Sequence, residues 1–127
     1  MVEIKPYAPS MFKDVLDMHL SQNTPVSEVG LPQIGFIAHL GEQPGAAGFL
    51  RTIEGGYVMI DNLVSNAALP PGDRHVCMTE VINTLIQTAK DLKFKGILCH
   101  TKDEGVLKRA AALGFAIVPQ TVIALPL

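Results

Sequence analysis

Residues 57–92 read YVMIDNLVSN, then AALPPGD, then RHVCMTEVINTLIQTAKDL, and this stretch decides the fold. Val58, Met59, Ile60, Leu63 and Val64 make a largely apolar run, as in a strand buried on both faces of a sheet. Pro70, Pro71 and Gly72 break it, and Asp73 is placed to cap the next helix. Met78, Val81, Ile82, Leu85, Ile86, Ala89 and Leu92 then recur at three- and four-residue spacing, one apolar stripe of a long helix facing a sheet. A strand feeding a helix start leaves free backbone N–H groups at the turn. Together with the helix dipole they favour an anion, often a phosphate, so a ligand site is expected there.

Working outward, residues 2–7 read as a short strand ended by Pro6. Ser10 is a candidate cap for a helix to Leu20, with Phe12, Val15, Leu16, His19 and Leu20 inward. Residues 21–32, with Asn23, Pro25, Gly30 and Pro32, read as loop with a single helical turn near 26–29. Residues 33–40 and 46–53 form a hairpin around a turn at 41–45, and Glu54, Gly55 and Gly56 turn into the strand at 57. These three strands make an antiparallel meander.

Gly96 is placed to end the long helix, and a short apolar strand follows at 97–100. Strand, helix and strand in that order call for a right-handed crossover and a parallel pair. Thr101 and Glu104 have capping-box spacing before a helix with Val106, Leu107, Ala110 and Ala111 inward. Gly114 is placed to end it in a left-handed cap. Two last strands are expected at 115–118 and 122–125, turning at Pro119 and Gln120. The expected fold class is thus α/β (mixed α+β), a single domain over residues 1–127. Its order is β-α-β-β-β-α-β-α-β-β, with helices on both faces of a mixed sheet.

With 127 residues, 48% apolar and 17% charged, the chain is globular and large enough for a real core. A net charge of −2 gives no basic footprint for nucleic acid, and no apolar run reaches a membrane span. Two cysteines, Cys77 and Cys99, make no disulfide framework, and MVEIKPY has no signal-peptide layout. A soluble, intracellular (cytoplasmic) protein with reduced thiols is expected.

The element order resembles the GNAT N-acetyltransferase superfamily over essentially the whole chain. ILCHTKDE leads into a helix that closes with Ala112, Leu113, Gly114 and Phe115, similar to the Gly-Phe closing the family's last long helix. GAAGFL at 45–50 resembles the family's third strand. Small GNAT-like proteins of this kind are often phage-encoded, which would put the protein in a host cell or a virion. The resemblance implies acetyl-CoA as cosubstrate and an amine acceptor.

It also implies site residues. Backbone N–H groups near Leu63 and Val64 would polarise the thioester carbonyl, and Arg74, His75, Val76, Cys77, Met78 and Thr79 would hold the pyrophosphate. The family's Arg/Gln-x-x-Gly-x-Gly/Ala run keeps only its first residue, Arg74; its small positions fall on Cys77 and Thr79, with His75 after the Arg. The family's general-acid Tyr is Ala110 here, and its frequent Asn is Asp103. Asp61, mid-strand, is a candidate base, against the alternative of solvent or an ion pair. His100, at a strand end, is a candidate acid or base, against an ordinary hydrogen-bonded role. His75, Cys77, Cys99 and His100 lack finger spacing, and no metal is expected. The short 21–32 segment leaves the acceptor side open or completed by another chain, through a homo-oligomer or a protein partner. A GNAT-like protein that binds or assembles without catalysis is the alternative reading.

Overall fold

A computed structural model describes residues 1–101 and 103–127. Five strands form one sheet in the order β1-β2-β3-β4-β5: β1 (Val2–Pro6), β2 (Ile34–Leu40), β3 (Gln43–Thr52), β4 (Tyr57–Ser65) and β5 (Gly96–Cys99). The first four run antiparallel to their neighbours, and β4 pairs with β5 in parallel. The long helix α2 (Pro71–Asp91) is the crossover between those two. It covers one face, where Val81, Ile82 and Leu85 pack with Ala46, Leu50, Val58 and Ile60. Helix α1 (Phe12–Ser21) covers the other, where Val15 and Met18 meet Ile37, Ala47, Phe49 and Val64. Helices on both faces of a mixed sheet are as the element order requires.

Local starts and stops differ from expectation in instructive ways. Helix α2 begins at Pro71, and no side chain caps it. Proline at the first helical position has its φ already set and no N–H to lose, so Asp73 lies inside the first turn instead. Helix α1 likewise comes after a 3-10 turn (Pro9–Met11) with no side-chain cap, so Ser10 does not cap it. Met18 is buried while Leu20 faces solvent. The isolated turn in the next loop falls at Glu28–Gly30. The last helix, α3 (Glu104–Ala112), is capped by Asp103, whose carboxylate accepts from the Val106 N–H at 3.0 Å, rather than by Thr101. Gly114, at φ +94°, ends it: Gly114 N–H reaches the Ala111 carbonyl and Phe115 N–H the Ala110 carbonyl.

The expected strands at 115–118 and 122–125 are absent from the sheet. Phe115 packs against the core, but residues 116–127 are exposed throughout. A β pattern makes a strand only where an edge receives it, and among the described residues no edge does so.

Candidate functional site

Strands β4 and β5 pair only as far as Ile60 opposite Cys99; β4 then continues to Ser65 while β5 has ended. The two separate into an open split. A bulge sits on the free part of β4: Asp61 opposes Phe49 and Val64 opposes Ala47, so Asn62 and Leu63 face the single residue Gly48. Asn62 takes a left-handed φ of +50° to do this. The extra residue reverses the alternation. Val58 and Ile60 face α2 before it; after it Leu63 stays on that face and Val64 turns to α1.

The split opens into a cleft of about 710 Å³, walled by the β4 bulge, the start of α2, the end of β5, the start of α3 and the end of α1. Leu63, Val64, Arg74 and Met78 line it, as do Asp61 and His100. Four other expected cofactor residues do not line it. Cys77 is fully buried, Val76 is 46% exposed, and Thr79 lies on another side of α2. His75 instead accepts at Nδ1 from Arg109 Nε at 3.1 Å, tying α3 to α2. Because α2 begins at Pro71, the N–H groups of residues 75–79 are consumed within the helix. The free ones belong to Gly72 and Asp73, one turn earlier.

Asp61 is held from two sides: Oδ2 accepts from Arg51 Nε at 2.6 Å and Oδ1 from the Asn62 N–H at 2.9 Å. Arg51 also donates to the Gly30 carbonyl at 2.6 Å, pinning the loop before β2. A second cavity of about 360 Å³ lies beyond, between Pro25, Val26, Ser27, Arg51 and Asp61. Asp61 and Asn62 thus form the partition between two hollows.

His19 is the residue that sequence reading placed only in the core. It is 4% exposed and lines the cleft. Its Nδ1 lies 2.8 Å from Thr24 Oγ1, which itself donates to the His19 carbonyl at 3.2 Å. With its one hydrogen so used, the hydroxyl accepts from Nδ1–H, leaving Nε2 as the basic nitrogen. That Nε2 is buried and meets no partner at full hydrogen-bond geometry, with the Asn62 main chain close enough to favour the protonated ring. Burial pushes the imidazole below its ordinary range, against the opposing influence of the Asn62 main chain and the Asp61 charge. Burial, and then the Asp61 charge, push the Cys99 thiol up. Burial, then Asp73, does the same to Cys77. Among the described residues no group of three or more His, Cys, Asp or Glu side chains is placed to hold a metal ion. No described helix is long and apolar enough to cross a membrane.

No family model matches the sequence, and no curated protein matches it. Solved structures match its fold. A GNAT-family acetyltransferase from Streptococcus pneumoniae superposes with a TM-score of 0.75 at 15% identity, covering 99% of this chain and 98% of its own. A GCN5-related N-acetyltransferase from Ralstonia eutropha gives 0.72 at 12% identity, over 98% and 99%. Glucosamine-6-phosphate N-acetyltransferase from Arabidopsis thaliana gives 0.71 at 9% identity, over 99% of each chain. The chain therefore has the GNAT fold.

Proposed function

We propose that the protein is an acyl-CoA-dependent N-acyltransferase that moves an acetyl group to an amine. The observation that carries this reading is the open split between β4 and β5, with the Asn62–Leu63 bulge at its throat. A thioester laid along the split meets the main-chain N–H groups of Leu63 and Val64, which polarise its carbonyl. The pyrophosphate lies at the α2 start, against the Gly72 and Asp73 N–H groups and the Arg74 guanidinium.

The acceptor enters from the hollow beside Pro25 and Ser27. Asp61, both oxygens engaged, attracts and orients the amine. His19, neutral through burial and with Nε2 as its basic nitrogen, takes its proton directly or through one water. The amine nitrogen bonds to the carbonyl carbon, the C–S bond breaks, and CoA leaves as thiolate. Position 110 is alanine and has no hydroxyl to give, so His100 on the cleft wall protonates the thiolate.

Calorimetric titration with acetyl-CoA tests the reading, with free CoA alongside. Saturable one-to-one binding, lost in Arg74→Glu, is expected; thiol release with a panel of amines then identifies the acceptor. His19→Gln keeps the binding and lowers kcat by about 10²–10⁴-fold. No heat up to millimolar acetyl-CoA would overturn the proposal. It would leave a GNAT-fold protein that binds or assembles without catalysis, the reading that the missing loop glycines and the alanine at 110 favour.

A further inference from the structure

The hollow of about 360 Å³ beside the cleft has Pro25 and Val26 on its apolar side and Ser27, Arg51, Asp61 and Asn62 on its polar side. Its two charged groups have opposite sign and touch: Arg51 Nε donates to Asp61 Oδ2 at 2.6 Å. Their side chains remain 41% and 28% exposed, so a ligand can reach both. The guanidinium also donates from Nη2 to the Gly30 carbonyl at 2.6 Å. Its Nη1 donates to nothing among the described residues, and it is part of a fork built for planar anions. Ser27, just before the Glu28–Gly30 turn, caps nothing with its hydroxyl.

The loop that roofs the hollow is pinned at Thr24, whose N–H donates to the His19 carbonyl at 3.0 Å, at Val26, which packs on the α1-side core, and at Gly30, held by Arg51. The hollow is therefore preformed, and a ligand has little to reorganise. Asp61 and Asn62 border both the hollow and the cleft, whereas Arg51 and Ser27 border the hollow alone. An amine at the partition thus has the rest of its molecule beside Arg51 and Ser27.

We infer that the acceptor is a free α-amino acid, its ammonium against Asp61 and its carboxylate on Arg51 Nη1 and the Ser27 hydroxyl. The inference rests on the proposed acyl transfer and names the amine. Opposite charges one carbon apart lie antiparallel to the Arg51–Asp61 pair, so each meets its counterpart. A polyamine would bring a second cation to Arg51, and a phosphate would set two negative charges beside Asp61 with a single, already engaged guanidinium to neutralise them. At about 360 Å³ the hollow is near the small end of ligand pockets, about 300–1,000 Å³, which suits one amino acid. Pro25 and Val26 are left for an aliphatic side chain. The change balances: ammonium and acetyl thioester become an N-acetylamino acid, free CoA thiol and one proton, released by way of His19. The product has lost the cation that held it to Asp61, which favours its departure.

Magnetic-resonance titration of the isotope-labelled full chain with the protein amino acids, with no CoA present, tests the hollow alone. Amide shifts at residues 25–30, 51, 61 and 62 are expected with at least one amino acid. Its carboxamide, which lacks the carboxylate, should bind roughly ten- to hundredfold more weakly. Arg51→Gln should show the same loss with unchanged far-ultraviolet dichroism, and Ser27→Ala a smaller one. Thiol release from acetyl-CoA should rank the free acids above their carboxamides in kcat/KM. No shift at millimolar amino acid, equal binding of acid and carboxamide, or an unaltered affinity in Arg51→Gln would overturn the inference. Thiol release with carboxamides or polyamines but with no free amino acid would also overturn it, while leaving acyl transfer standing. Amino-acid binding in a chain that takes no acetyl-CoA would confirm the site and overturn its use as an acceptor site.

Discussion

Gly45 lies where β3 passes beneath the first turns of α2, and replacing it by alanine probes how that helix is held over the cleft. A Cβ built there overlaps Cys77 Sγ and comes within 2.9 Å of Cys77 Cβ and 3.3 Å of Leu69 Cδ1. Cys77 is fully buried on the sheet side of α2 and cannot swing outward. The Gly45 carbonyl accepts from the Asn66 N–H at 2.9 Å, which holds the strand in place from the other side. Helix α2 has to lift instead, and overpacking of this kind costs about 1–3 kcal/mol. The reduced entropy of the unfolded chain returns about 0.4–1 kcal/mol, leaving Gly45→Ala destabilised by about 1.3 kcal/mol at mid-range and about 2.6 kcal/mol at most. With a urea m-value of about 1–3 kcal/mol/M, the midpoint falls by about 0.5–1 M. Cys77→Ala alone opens a void and costs about 1–2 kcal/mol. The pair places a methyl where the sulfur was, so the double variant is more stable than the two losses predict by about 1 kcal/mol. Relief is incomplete because the two Cβ positions remain 2.9 Å apart. A Gly45→Ala change under about 0.5 kcal/mol, or strictly additive losses in the double variant, would refute the close approach of α2 to β3.

Asp61→Ala strips the partner from both Arg51 and the Asn62 N–H and costs about 1–3 kcal/mol. Arg51→Ala removes a half-exposed partner and costs under about 1 kcal/mol, so urea unfolding of the two variants should differ. Asn62 holds φ at +50°: a β-branched Asn62→Val costs about 1–3 kcal/mol, whereas Asn62→Gly stays near the parent in the same assay. The His19 imidazole is depressed on folding, so the unfolded chain binds the extra proton. Stability therefore falls as pH drops below the unfolded value of 6.5, and His19→Gln flattens that limb. Cys77 and Cys99 are raised, so the unfolded chain loses protons first and stability also falls as pH rises through 9.0, read by urea midpoints against pH.

Much of the site was legible because its parts are short-range. The β4 run, the break at Pro70–Pro71 and the α2 stripe are contiguous, so local spacing alone implies a strand feeding a helix and an anion-friendly start. Arg74, Leu63 and Val64 could be singled out only through the family resemblance, which places them at the loop's first position and on the fourth strand, and they line the cleft. His19 could not, because what sets it apart is a buried Nε2 beside a bulge more than forty residues away. Asp61 was found, but the Arg51 that engages it is a cross-strand neighbour, visible only once the β3–β4 register is known. A cue existed in retrospect: an acid in the middle of one largely apolar strand and an arginine near the end of the strand before it invite pairing.

The sequence by itself determined the order of elements, the two helix faces and the parallel β4–β5 crossover. Periodicity and turn residues are local signals, and the covalent chain carries them directly. Only the tertiary structure decided which helix turn is the free one, where β4 bulges, and that residues 116–127 find no place in their own sheet. Each of these depends on a match between distant surfaces. A strand pattern states what a segment can bury; whether an edge is there to bury it is set by the packed molecule.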